Sequence, residues 1–125
     1  MPELIRGSCM KKQKKIIKVY IASPYTIGDI AVNVKRQMDV ADELINLGFA
    51  PFIPLLSHFQ HLYHSQPYEI WLQLDSEWLT VCDCILRLDG ASRGADQEVE
   101  LAKKLNMPRF YSIRKLCEYY KKNEK

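Results

Sequence analysis

Four short apolar runs, each followed by a stretch of helical period, set the limits on this fold. "IIKVYIA" (16–22) reads as a buried strand. A helix follows from about Asp29 to Leu47, where Ile30, Val34, Met38, Ala41 and Ile45 share a face and Gly48 stands at the C-terminal cap. "FAPFIP" (49–54) is a short second strand, with Pro51 arguing for a sheet edge. A loop over 55–66 leads to a helix from Pro67 to about Val81, Pro67 taking the first helical position. "DCILRL" (83–88) is the third strand, 95–106 the third helix, "RFYS" (109–112) the fourth strand and 113–122 the last helix. Such alternation calls for a parallel sheet covered on both faces. With right-handed crossovers the expected fold is α/β: a three-layer, doubly wound parallel sheet of about four strands in a single domain. Ligands bind such sheets beyond the carboxyl ends of the strands, where the loops 23–29, 54–66 and 89–94 gather.

The 125 residues suffice for one domain with its own core. The formal charge is +3, and much of the excess sits in two lysine clusters, Lys11, Lys12, Lys14 and Lys15 near one end and Lys121, Lys122 and Lys125 at the other. Such runs read as solvated tails, so no specific nucleic-acid partner is expected. Residues 1–15 are expected to be a disordered basic extension and 16–122 the domain. No apolar run approaches the roughly 20 residues of a membrane span, and no apolar segment follows the basic N-terminal residues as in a signal peptide. No membrane partner is expected, and the expected compartment is the cytoplasm. Cys9, Cys82, Cys84 and Cys117 fit no zinc pattern and read as reduced thiols, Cys82 as a core residue.

Two carboxylates sit where the helical pattern wants apolar side chains. On a helix over 95–106, Ala95, Val99, Leu101, Ala102 and Leu105 form one stripe, and Asp96, Glu100, Lys103 and Lys104 form the opposite face. Glu98 falls within the apolar stripe. The helix 67–81 repeats the anomaly. Tyr68, Trp71, Leu72, Trp78, Leu79 and Cys82 lie on one side, Glu69, Gln73, Ser76, Glu77 and Thr80 on the other, and Asp75 falls with the apolar set. Burying a charge costs several kcal/mol unless it is paired. One reading is structural: each carboxylate caps a backbone or pairs with an arginine such as Arg87. The other is catalytic, since perturbed carboxylates in a cleft mark active sites, and here one of them follows a glycine-containing loop at the ligand edge.

Two carboxylates can divide the work of nucleophile and proton carrier. Bonds to an anomeric carbon, which break through oxocarbenium-like states, suit that equipment. The loop "SRG" adds the free backbone N–H groups of a helix N-terminus, with Ser92 and Arg93 as side-chain donors for an anion. An anionic sugar ligand such as a nucleotide is the simplest occupant.

These residues resemble the nucleoside 2-deoxyribosyltransferase superfamily, which includes the 2'-deoxynucleoside 5'-phosphate N-hydrolases. The resemblance covers roughly residues 16–113 and rests on "VYIASPYTIGD", "PYEIWLQLDSEWLTVCDCILRL" and "SRGADQEVELA" in that order. It implies a flavodoxin- or Rossmann-like domain that cleaves or transfers the N-glycosidic bond of a (deoxy)nucleoside or nucleoside 5'-monophosphate. It implies Glu98 as the nucleophile and Asp75 as the residue that protonates the leaving base or positions Glu98. Ser92 and Gly94 match the loop that holds a 5'-phosphate, and Tyr20 and Ser23 match a strand end that touches sugar and phosphate. It also implies a homo-oligomer, a dimer or larger. The chain departs from the hydrolases at "SPYTIGD", which lacks their phosphate-binding arginine; either Arg93 substitutes for it or the substrate carries no phosphate. The alternative reading of the same fold is a nucleotide-binding or sensing module without catalysis.

His58, His61 and His64 are spaced by three, which does not make them converge as metal ligands must. His58 is expected to face the ligand and the other two to lie on the surface. Tyr25 is placed at the mouth of the site. Phe59, Tyr63 and Tyr68 are open to either base stacking or ordinary packing, and Trp71 and Trp78 read as core. Asp83 reads as a helix-end cap or turn residue. No loop has the spacing of a triphosphate or dinucleotide site, so neither cofactor nor metal is called for.

Overall fold

The computed structural model describes residues 15–122; the extension expected over 1–15 lies outside them except for Lys15. The order is β1 (Lys18–Ala22), α1 (Ile30–Asn46), β2 (Ala50–Phe52), a 3-10 turn (Pro54–Leu56), α2 (Ser57–Tyr63), α3 (Tyr68–Thr80), β3 (Cys84–Arg87), α4 (Arg93–Lys104), β4 (Arg109–Phe110) and α5 (Ile113–Lys122). The four strands form one parallel sheet in the order β2-β1-β3-β4. Val19 is the register point of the centre, opposite Pro51 on one side and Cys84 on the other. β2 lies at the edge, where Pro51 is tolerated.

The pleat of the strands sends alternate residues to opposite layers. Val19, Ile21, Cys84 and Leu86 pack with Ala41 and Leu44 of α1 and Leu116 of α5. Tyr20, Ala22 and Ile85 pack with Leu79 of α3 and Ala95 and Ala102 of α4. This is the doubly wound three-layer sandwich the alternation requires. The strand order reverses between β1 and β3, and the carboxyl ends there open onto a cavity. Asp83 fastens the opposite end: its carboxylate accepts from Lys18 N–H at 2.8 Å and pairs with Lys15.

Several local expectations need correction. Residues 55–63 are not loop but a 3-10 turn and the two-turn helix α2, which buries none of its own residues, and only 64–66 keep the loop expected. The buried face of α1 is Val34, Gln37, Ala41 and Leu44, while Ile30, Met38 and Ile45 are exposed. Asp29 caps this helix through Val32 N–H, and Gly48 follows its last turn at φ +93° as expected. Pro67 is the residue before α3 rather than its first helical residue. α4 begins two residues early, because Ser92 caps it by accepting from Ala95 N–H at 3.1 Å; Arg93 and Gly94 are therefore its first turn. β4 is two residues long, not four. Cys82 is half-buried against the core, and Cys84 is the fully enclosed thiol among the described residues.

Trp78 is not core: it is 54% exposed and stacks on Phe52 at 5.5 Å. Only Leu79 of α3 is fully enclosed. Ile70, Leu74 and Trp78, with Val81 just beyond the helix, line an outer face of α3 open to solvent. No helix among the described residues is long and apolar enough to cross a membrane.

Candidate active site

A cavity of about 720 Å³ opens past the carboxyl ends of the strands. Asp75 reaches it from α3 and Glu98 from α4, with Ser92, Arg93 and Gly94 at the start of α4 on the same wall. Ser23 and Tyr25 enter from the loop after β1 and His58 from α2. Eight of the nine expected site residues thus share one cavity.

Tyr20 is the exception. The pleat of β1 turns it into the layer of α3 and α4, where it is fully buried and outside the cavity lining. Its hydroxyl donates to Glu98 Oε2 at 2.5 Å. The resemblance implies a ligand contact for Tyr20; the geometry makes it the support beneath Glu98.

The carboxylates are both shifted toward the neutral form. Burial pushes Glu98 up to about 8; the Tyr20 hydrogen bond pulls it down, the negative charge of Asp75 pushes it up and Arg87 pulls it down. Burial pushes Asp75 up to about 7. Burial, then the charges of Glu98 and Asp75, drive the Tyr20 hydroxyl well above its ordinary range, so it stays a donor. Arg87 does not neutralise either carboxylate by contact. Its guanidinium donates to the Leu88 and Gly90 carbonyls and to Asp96 at 2.8 Å. Two carboxyls raised by burial on one cavity can divide the work of acid and base.

Helix α1 organises the mouth through residues that sequence reasoning missed. Asn33 donates to the carbonyls of Tyr25 and Ile27 at 2.9 Å, fixing the loop after β1. Arg36 donates to the carbonyl and carboxylate of Asp89, fixing the loop after β3. Gln37 bonds Ser23, Ile21 and Leu55. These loops also meet at Gly90: its φ is +114°, and a Cβ there would come within 2.9 Å of Pro24 Cγ. The signal was available, because Gln37 stands among Val34, Ala41 and Leu44 on the wheel just as Glu98 stands among its apolar neighbours.

His58 faces the cavity, where its Nδ1 hydrogen-bonds the Tyr25 hydroxyl at 2.7 Å. His61, expected on the surface, also lines the cavity; its Nδ1 accepts from Trp71 Nε1–H at 2.8 Å and from Gln66 N–H at 3.2 Å. Trp71 is therefore a cavity wall and not core. His64 is exposed. Phe59 and Tyr63 are exposed as well, and Tyr68 joins the lining. No group of three or more His, Cys, Asp or Glu among the described residues is arranged to hold a metal ion.

Residues 17–112 match the model of a family described as a domain of unknown function, DUF7768. The chain belongs to this family. The matched span runs from β1 to just past β4 and includes every residue of the cavity. No curated protein matches the chain. Among solved structures it is similar to a 2-deoxyribosyltransferase from the psychrotolerant bacterium Bacillus psychrosaccharolyticus. The TM-score is 0.60 at 20% identity, covering 74% of this chain and 69% of that one. The likeness is one of fold: this family member shares the deoxyribosyltransferase-like, Rossmann-like sheet.

Proposed function

We propose that the protein cleaves or transfers the N-glycosidic bond of a (deoxy)nucleoside or nucleoside 5'-monophosphate, with Glu98 as nucleophile. The observation that carries this reading is Glu98 itself: an inward carboxylate held by Tyr20 O–H at 2.5 Å, facing the same cavity as Asp75. A module that only binds anionic nucleotides gains nothing from two raised carboxyls, which disfavours the sensing alternative. The fold shared with a 2-deoxyribosyltransferase adds support.

In this mechanism the Glu98 carboxylate attacks the anomeric carbon. The C–N bond breaks, and its electron pair leaves with the base, which takes a proton from Asp75. Water, or the N–H of a second base, then attacks the same carbon. The glycosyl–Glu98 ester bond breaks and the attacking group's proton returns to Asp75. Tyr20 orients Glu98 and spreads its charge. Tyr25, His58 and Trp71 offer aromatic surface, and Ser23, Ser92, Arg93 and Gly94 offer donors for the sugar and any phosphate. The test is incubation with a panel of nucleosides and their 5'-monophosphates, followed by chromatography. Release of free base is expected; binding without release would favour the sensing module.

The proposed assembly is a homo-oligomer in which the exposed Ile70, Leu74, Trp78 and Val81 face of α3 meets a second copy. Sedimentation should find a dimer or larger, shifted toward monomer by Trp78→Glu; a wild-type monomer throughout would refute the assembly.

A further inference from the structure

Gln37 is fully buried, yet it is a polar residue on the core face of α1. Its amide orientation is fixed by the backbone on both sides. A carbonyl only accepts, so Nε2 faces Ile21 O at 3.2 Å; an N–H only donates, so Oε1 faces Leu55 N–H at 2.8 Å. The second Nε2 proton points at Ser23 Oγ, 2.7 Å away. Ser23 is then an acceptor toward Gln37, and its own proton is left to donate elsewhere. Ser23 lines the cavity and is 7% exposed, and its bond to Gln37, in which it accepts, is the side-chain hydrogen bond it shows among the described residues.

We infer that Gln37 is a positioning residue that sets the polarity of Ser23, so that Ser23 presents a hydrogen-bond donor to an accepting oxygen of the ligand. Through Leu55 the same amide fixes the 3-10 turn leading into α2, and so links the Ser23 wall to the helix that carries His58. The identity of that oxygen, a sugar hydroxyl or a phosphate, rests on the nucleoside reading; the polarity of Ser23 does not.

Two arms separate these. The first needs no substrate. In a ligand-free crystal structure a water should lie about 2.6–3.0 Å from Ser23 Oγ on the cavity side. In nuclear magnetic resonance of the Ser23→Ala variant, one side-chain amide proton of Gln37 should shift and exchange faster. A Ser23 hydroxyl donating to a protein carbonyl, or Gln37 amide protons unmoved in Ser23→Ala, would overturn the inference. The second arm measures affinities for a 2'-deoxynucleoside, its 3'-deoxy and 5'-deoxy analogues and its 5'-monophosphate. Removing the accepting oxygen should weaken wild-type binding about tenfold and leave Ser23→Ala unaffected. Gln37→Met should lose the same discrimination. A uniform loss across the panel in Gln37→Met, with Ser23→Ala selective, would make Gln37 structural only and overturn its role. If the wild type binds no member of the panel, the nucleoside reading fails, and the first arm alone decides the inference.

Discussion

The two faces of the sheet come from the same strands and do different work. On one, nine buried residues from Val19 to Leu116 make an apolar layer between the sheet and helices α1 and α5. On the other, Tyr20 stands in the middle of the packed layer, with its hydroxyl turned to Glu98. Apart from Gln37, which reaches Ser23, the first face is apolar packing. The second encloses a phenol and holds a half-buried carboxylate at the cavity, and both are pushed toward their neutral forms by burial. A sheet two residues in period can be a foundation on one side and, on the function proposed above, a reaction floor on the other, a role that costs stability.

The largest effect should come from damaging the quiet face. Leu44 is fully buried in the cluster that includes Val19 and Leu86, and Leu44→Ala should destabilise the domain by about 2–5 kcal/mol. Activity per folded molecule should be unchanged. Chemical denaturation measures the loss, and a loss of activity beyond the loss of folded protein would break the division between faces.

The opposite sign is expected on the working face. Glu98 is pushed up to about 8, so the folded state holds its proton more tightly than the unfolded chain. Its contribution to stability is fully present below the ordinary glutamate range and is lost as pH rises through about 8. Asp75 acts in the same direction. Glu98→Gln keeps an acceptor for Tyr20 and removes the ionisation. It should stabilise the protein by roughly 1–3 kcal/mol above pH 8, at about 1.4 kcal/mol per pKa unit discounted for water in the open cavity, and by little near pH 4. Melting curves at both pH values test this, and equal shifts at the two would contradict it.

How legible these faces were in the sequence depended on contrast. The alternation gave the fold because each strand and helix is bounded by turn residues and carries its own period. Glu98 and Asp75 stood out because each is a charge among apolar neighbours. Residues 55–66 did not read as helix because "SHFQHLY" has no side-chain cap and buries nothing; it is held by its neighbours and not by its own pattern. Trp78 misled because α3 is apolar toward the cavity and also on its open outer face, so a wheel cannot tell which side is inside. Tyr20 was found but its bond to Glu98 was not, since a wheel or a motif places a residue and not its hydroxyl. Gln37 was missed because a neutral polar residue makes a fainter anomaly than a charge.

The smallest effect belongs to the rim. Arg93 is exposed in the first turn of α4, at the edge of the cavity. If it holds a 5'-phosphate, Arg93→Ala should cost monophosphates about 1.5 kcal/mol, or tenfold, and leave nucleosides nearly unaffected. Calorimetry on matched pairs decides it. Equal affinities for nucleoside and monophosphate in the wild type would point to a substrate without phosphate.

The claim that joins these observations is that Glu98 attacks the sugar. The direct measurement is the rate of base release by wild type and by Glu98→Gln, on the same substrate and with folding verified. The account predicts a loss of about 10³-fold or more, with the variant at least as stable as the wild type. Base release by Glu98→Gln at the wild-type rate would contradict it.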